Sequence, residues 1–302
     1  MPSVKRPRIL NYLEFFLACI GLGIVWCVPT SVAMSLARGM GSLLYVLLRK
    51  RRKIAMDNLL LTKVAATPEE ADRIAKASLQ HFCLVAVESL KLMPKIVVEN
   101  RDTHIAYDVP PEALDFVKNS PDQGALCISG HLGNWEVLAR VLSFDKKMAA
   151  IARSANNPLV QRLIDRYKKT RNFEIIAKGS ADRFAILRAL KNNSMVAILA
   201  DQYNSNRSYA IANTFMGIGT TTITTPARLH LATRCPLFVG TCVRVSPGRF
   251  RIIADPPLAY AADEGESKDD LVRRITDDLN ARLERLIRLY PEQYLWAHRR
   301  WR

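Results

Sequence analysis

The chain has 302 residues, 49% of them apolar, enough for one substantial core and too apolar for a disordered tail. Its 44 Lys and Arg against 28 Asp and Glu leave a formal charge of +16, which points to phosphate-bearing partners, either nucleic acid or an anionic membrane surface. Residues 1–53 carry nine basic side chains and one acid, a balance of +8 and half of the excess, bracketing the most apolar stretch; that placement favours a membrane over nucleic acid. The six cysteines show no C-x-x-C pair or metal-type spacing, so they read as small hydrophobes and imply no disulfide framework.

Ile9–Val28 is almost wholly apolar, broken only by Asn11 and Glu14, and as a helix it rises about 30 Å, the thickness of a hydrocarbon core. Pro29 ends it, and Val32–Leu48 is a second apolar stretch. A cleaved signal peptide (Ser31-Val32-Ala33 as the small-x-small site) and a buried soluble helix are the alternatives; a retained membrane-anchoring helix is favoured. Arg49–Lys53 outweighs Lys5, Arg6 and Arg8, which puts the body on the cytoplasmic side, as a hairpin also would. The segment could span once, form a hairpin or lie in the interface. Residues 1–53 are thus expected to form an anchor with basic flanks, and 54–302 a single domain.

Thr67-Pro68-Glu69-Glu70 caps an amphipathic helix over 68–93. Beyond Pro110-Pro111, short apolar runs alternate with longer amphipathic ones. Strands are expected at Ala125–Ser129, Met148–Ala152, Phe173–Ile176, Met195–Ala200, Leu237–Arg244 and Phe250–Ala254. Helices are expected at Trp135–Leu142, Pro158–Arg171, Ala181–Lys191, Pro226–Thr233 and Lys268–Leu289. The rhythm predicts an α/β fold, a mixed sheet flanked by helices.

The most informative segment is Ser129-Gly130-His131-Leu132-Gly133-Asn134-Trp135-Glu136. It follows an apolar strand and opens a helix, at the strand end where open α/β sheets place ligands. Residues five apart lie on different faces of one helix, so His131 and Glu136 meet only if the chain turns between them, which Gly133 permits. An imidazole fixed by a carboxylate is a general base for a hydroxyl attacking an acyl carbonyl. The plain alternative is a turn histidine followed by a solvated helix charge. The sequence has no G-x-S-x-G elbow, phosphate-binding loop or H-E-x-x-H motif, and His81, His104 and His230 read as surface or core histidines.

Gly130–Glu136 resembles the first motif of the lipid A late acyltransferases, the lauroyl/myristoyl transferase family, relatives of the glycerolipid acyltransferases with their H-x4-D. Asp201-Gln202 after a strand resembles that family's D-Q pair. Phe215-Met216-Gly217, with Ala227-Arg228-Leu229 after a threonine-rich turn, resembles its F-F-G segment, Met216 being the one departure. Pro291–Arg300 resembles its P-E-Q-Y-x-W-x-H-R-R ending. The resemblance implies a glycerolipid acyltransferase-like fold, His131 as base and Glu136 as its partner. It also implies substrate-binding or oxyanion roles for Arg153, Asp201, Gln202 and Asn134. Asp201 could equally cap its strand or hold Arg153, and His298-Arg299-Arg300 could meet lipid phosphates or be a basic tail. Tyr294 and Trp296 are interface anchors or packing. No metal or cofactor is called for. The implied donor is acyl carrier protein or acyl-coenzyme A, the acceptor a lipid A precursor or another membrane lipid, and the location the inner membrane with the catalytic domain facing the cytoplasm. The rival reading is a non-catalytic lipid-binding scaffold.

Overall fold

The computed structural model describes residues 7–168, 172–177 and 182–301. The chain opens with α1 (Arg8–Cys27), α2 (Thr30–Leu47), α3 (Arg49–Leu61) and α4 (Pro68–Val87). Thr67 starts α4 by accepting a hydrogen bond from the Glu70 amide at 3.2 Å, with Pro68 in the first turn. The expected helix over 68–93 does not run straight through. It widens into a π-turn at Glu88–Leu92 and tightens into a 3₁₀ turn at Met93–Lys95. The expected anchor boundary at residue 53 falls inside α3.

The remaining elements are α5 (Arg101–His104), β1 (Ile105–Asp108), α6 (Pro111–Asn119), β2 (Ala125–Ser129), α7 (Trp135–Asp145), β3 (Met148–Ala152), α8 (Pro158–Lys168), β4 (Phe173–Ala177), α9 (Asp182–Lys191), β5 (Met195–Leu199), β6 (Ala210–Phe215), β7 (Ile218–Ile223), α10 (Thr225–Thr233), β8 (Leu237–Ser246), β9 (Arg249–Ala254) and α11 (Lys268–Leu289). Each expected strand is present, and so is each expected helix. The outer ends of two expected helices, 169–171 and residue 181, lie outside the described residues. β1 and the β6–β7 hairpin were not anticipated.

Seven strands form one sheet in the order β1-β9-β8-β2-β5-β3-β4. β8, β2, β5, β3 and β4 run parallel, β9 returns antiparallel to β8, and β1 follows β9 in parallel. All five residues of β2 are buried, as an uninterrupted apolar run in a covered parallel sheet should be. Its alternate side chains feed two cores. Leu126 and Ile128 face a layer that includes Ile275, Leu279 and Leu283 of α11. Ala125 and Cys127 face Val137, Leu138 and Val141 of α7. From β2 the chain crosses to β3 on one side of the sheet, and β8 later arrives on the other. The carboxyl end of β2 therefore lies where strand order reverses, the place such sheets bind ligands.

Candidate active site

The register of β2 against β5 builds the centre of the site. Ser129 pairs with Leu199, so two residues further along each strand His131 stands opposite Asp201. One carboxylate oxygen of Asp201 accepts the His131 backbone N–H at 2.9 Å, and the other lies 2.9 Å from the ring Nδ1. Asp201 is 1% exposed while the His131 side chain is 22% exposed. Burial opposes charge on the imidazole, but the Asp201 charge and hydrogen bond outweigh it and hold the His131 pKa above its ordinary value. Burial likewise opposes charge on Asp201. The His131 charge and the hydrogen bonds from its ring and backbone win, so the carboxyl stays below its usual range. An ionised carboxylate on Nδ1 fixes the proton there and leaves Nε2 with its lone pair. The Tyr294 phenol hydrogen-bonds to Asp201 from the buried side; burial and that carboxylate hold it protonated.

The turn that carries His131 is held through its backbone by groups from several elements. Leu295 N–H donates to the His131 carbonyl, the Thr241 hydroxyl to that of Leu132 and the His81 Nε2–H to that of Gly133, at 3.1, 2.8 and 3.0 Å. The Gly133 and Asn134 amides donate to the carbonyls of Gln293 and Cys242. Gly133 has φ +63°, and a Cβ there would sit 2.2 Å from the Cys242 carbonyl oxygen, so the bend and the close approach both require glycine. Beneath the turn, Arg244 forms a two-pronged ion pair with the fully buried Glu88 and donates to His81 Nδ1 at 2.8 Å. Burial, reinforced by the Arg244 charge, lowers the His81 pKa to about 3, so the ring is neutral and works as acceptor at one nitrogen and donor at the other.

The expected site residues fall into distinct places. Asn134 is fully buried. Its Oδ1 caps α7 through the Val137 amide at 3.1 Å and its Nδ2 donates to Glu88 at 2.9 Å, so the amide serves the helix start rather than facing a ligand. Gln202 lies beside the His131 ring, its amide nitrogen 3.4 Å from both imidazole nitrogens. Trp135 meets that ring edge-on with centroids 5.3 Å apart. Glu136 occupies the first turn of α7, half-buried, and the carboxylate on His131 Nδ1 is that of Asp201. Arg153 is exposed just past β3, on the same edge of the sheet as His131.

The C-terminal segment is structural where a basic tail was one expectation. Arg300 is 1% exposed; its guanidinium donates to the Thr221 carbonyl and the Thr222 hydroxyl at 2.8 and 2.6 Å and covers the Phe215 ring at 4.6 Å. Trp296 is fully buried and Tyr294 nearly so, which makes both packing residues rather than interface anchors. His81, Glu88 and Arg244, which hold the turn, had no signal in the sequence beyond being polar residues in apolar surroundings.

A histidine backed by a buried aspartate and partly open to solvent, at the carboxyl edge of a parallel sheet, is an arrangement that can take a proton from a nucleophile, as group-transfer enzymes do. The model of the bacterial lipid A biosynthesis acyltransferase family matches residues 2–302. Among curated proteins, the chain is 24% identical over 310 residues to the lipid A biosynthesis palmitoleoyltransferase of Escherichia coli K12, covering 100% of this chain and 96% of that one. The same figures hold for a lipid A biosynthesis acyltransferase of Shigella flexneri. It is 23% identical over 308 residues to the lipid A biosynthesis lauroyltransferase of E. coli K12, covering 99% and 95%. The chain belongs to the bacterial lipid A biosynthesis acyltransferase family and is an acyltransferase.

Proposed function

We propose that the protein moves a fatty acyl chain from an acyl thioester to a hydroxyl of a lipid A precursor at the inner membrane, with its catalytic domain, residues 54–302, facing the cytoplasm. The observation that carries this reading is His131 held at Nδ1 by the buried Asp201, with the ring partly open to solvent. His131 Nε2 takes the proton of the acceptor hydroxyl as that oxygen bonds to the acyl carbon. The carbon–sulfur bond then breaks, and the imidazolium returns the proton to the departing thiolate. Arg153, on the same sheet edge, stabilises charge on the carbonyl oxygen or a substrate phosphate. Gln202 steadies the ring, and Glu136 is the second carboxylate of the site, acting on the imidazolium or the acceptor. Acyl carrier protein is the donor: an acidic carrier suits a chain of formal charge +16.

The test is transfer of a labelled acyl chain by detergent-solubilised protein. His131→Ala should lose at least ~10²-fold in kcat while keeping its circular dichroism and membrane retention. Full turnover by that variant would remove the base. Supplying acyl carrier protein and acyl-coenzyme A thioesters side by side identifies the donor, and mass spectrometry of membrane lipids with and without the gene identifies the acceptor.

A further inference from the structure

α1 is docked on the body near both of its ends. Toward its start, Asn157, 3% exposed in the loop after β3, donates to the Asn11 carbonyl at 2.8 Å and to Glu14 at 3.1 Å. The second of these contacts gives the Glu14 carboxylate, a charge in an otherwise apolar run, a partner on the body. At its end, the Lys91 ammonium, 4% exposed on the π-turn after α4, donates to the carbonyls of Val25, Trp26 and Val28. Such a cation suits the carbonyl-rich end of a helix. Between these points Asn11, Glu14, Phe15, Ala18, Leu22 and Val25 recur at helical spacing as the half-buried, body-facing stripe. The opposite side presents Tyr12, Leu13, Phe16, Leu17, Ile20 and Ile24, each at least 43% exposed.

α2 repeats the pattern. Ala33, Met34, Ala37, Gly41 and Tyr45 are buried toward α4, and Gly41 approaches so closely that a Cβ would fall 2.4 Å from the Gln80 Cα. Its other side carries Val32, Leu36, Met40, Leu43, Val46 and Leu47, all at least 43% exposed. A stripe of large apolar side chains this long is far beyond what water tolerates on a monomer. The chain then bends by 91° into α3, whose Ala55, Asn58 and Leu59 are buried in the body. Exposed Arg49, Lys50, Arg51 and Lys53 collect at that bend, placed for anionic lipid phosphates.

We infer that α1 and α2 lie together in the plane of one leaflet, apolar sides in the acyl chains and polar attachments on the body, so that the protein is monotopic rather than anchored by a spanning helix. Seventeen residues separate Asn11 from Val28, about 25 Å along a helix, close to the ~30 Å thickness of the hydrocarbon core. Were α1 upright, Asn157 and Lys91 would sit near opposite faces of the bilayer and draw the catalytic body into hydrocarbon. Lying flat, α1 keeps both attachments and sets the loop that follows Arg153 at the lipid surface. The inference deepens the membrane reading above and is independent of the acyl-transfer chemistry.

An environment-sensitive fluorescent amino acid placed in turn at Leu13, Leu17, Ile20 and Ile24 of the full chain tests it, in vesicles of phosphatidylethanolamine and phosphatidylglycerol with nitroxide quenchers at graded depths. A flat helix puts all four at one shallow depth, and an N-terminal tag stays on the same side as the body. A depth that changes steadily along the four positions, or a tag on the far side, overturns the inference while leaving membrane residence intact. Failure to bind the vesicles overturns both. Lys91→Met should increase the spread of depths without altering the fold of the body by circular dichroism; an unchanged depth pattern would remove Lys91 as the attachment.

Discussion

Asp201→Asn separates the charge of the supporting carboxylate from its shape. Asp201 accepts from the His131 backbone with one oxygen and meets the ring nitrogen with the other. An asparagine that keeps the backbone contact through its oxygen turns its NH₂ toward Nδ1, which drives the ring proton to Nε2 and occupies the nitrogen needed as base. The loss should be ~10²–10⁴-fold in kcat, the usual range for disabling a positioned base. The pH profile gives the sharper reading. With His131 as the proposed base, wild-type activity should require neutral imidazole, so kcat/KM should rise with pH through a midpoint above the ordinary 6.5. Removing an adjacent opposite charge lowers an imidazole pKa by ~1–3 units, and burial then acts unopposed. The residual activity of the variant should therefore titrate with a midpoint below 6.5. The assay is initial-rate acyl transfer across a pH series in one detergent, with binding of the lipid acceptor measured separately. A variant that titrates where the wild type does, or that retains more than a tenth of its activity, refutes Asp201 as the group that orients His131. Stability obeys the same signs. The raised His131 pKa contributes stability at pH below its unfolded value, lost as pH rises through the folded one; the depressed Asp201 pKa contributes above its unfolded value, lost as pH falls through the folded one. The pair thus stabilises the fold most between the unfolded pKa values of Asp201 and His131, and Asp201→Asn should lower the melting temperature inside that window and weaken its fall on either side.

Four further substitutions, at three positions, probe the turn and the support beneath it. Gly133→Ala puts a side chain at φ +63° and against the Cys242 carbonyl, and should cost more than ~2 kcal/mol by chemical denaturation, or shift the turn and abolish activity at unchanged stability. Glu88→Gln leaves the Arg244 guanidinium buried without its counter-charge, a loss of ~3–5 kcal/mol, whereas His81→Gln, which still offers an acceptor to Arg244 and a donor to Gly133, should retain most of the stability that His81→Leu loses.

What could be read from the sequence was whatever depends on near neighbours. The apolar run Ala125–Ile128, two glycines around His131 and the amphipathic run after them define a strand, a bend and a helix within one short stretch, and the structure has all three. The supporting carboxylate was harder, because Asp201 reaches His131 only through the register of β2 on β5, seventy residues away, and no local pattern states a register. Glu88 shows the same difficulty in another form. It lies seven residues after His81 on the buried face that α4 presents, and its partners Asn134 and Arg244 are 46 and 156 residues away in sequence. The π-turn that Glu88 opens carries Lys91, three residues on, to the end of α1. One short stretch, Glu88 to Lys91, thus touches both the start of α7 and the end of α1. Arg300, Tyr294 and Trp296 are buried despite a basic, aromatic sequence suited to a membrane surface. The C-terminal segment closes the underside of the site. Leu295 N–H on the His131 carbonyl and the Gln293 carbonyl on the Gly133 amide are that closure, and they tie the chain's last motif to its first.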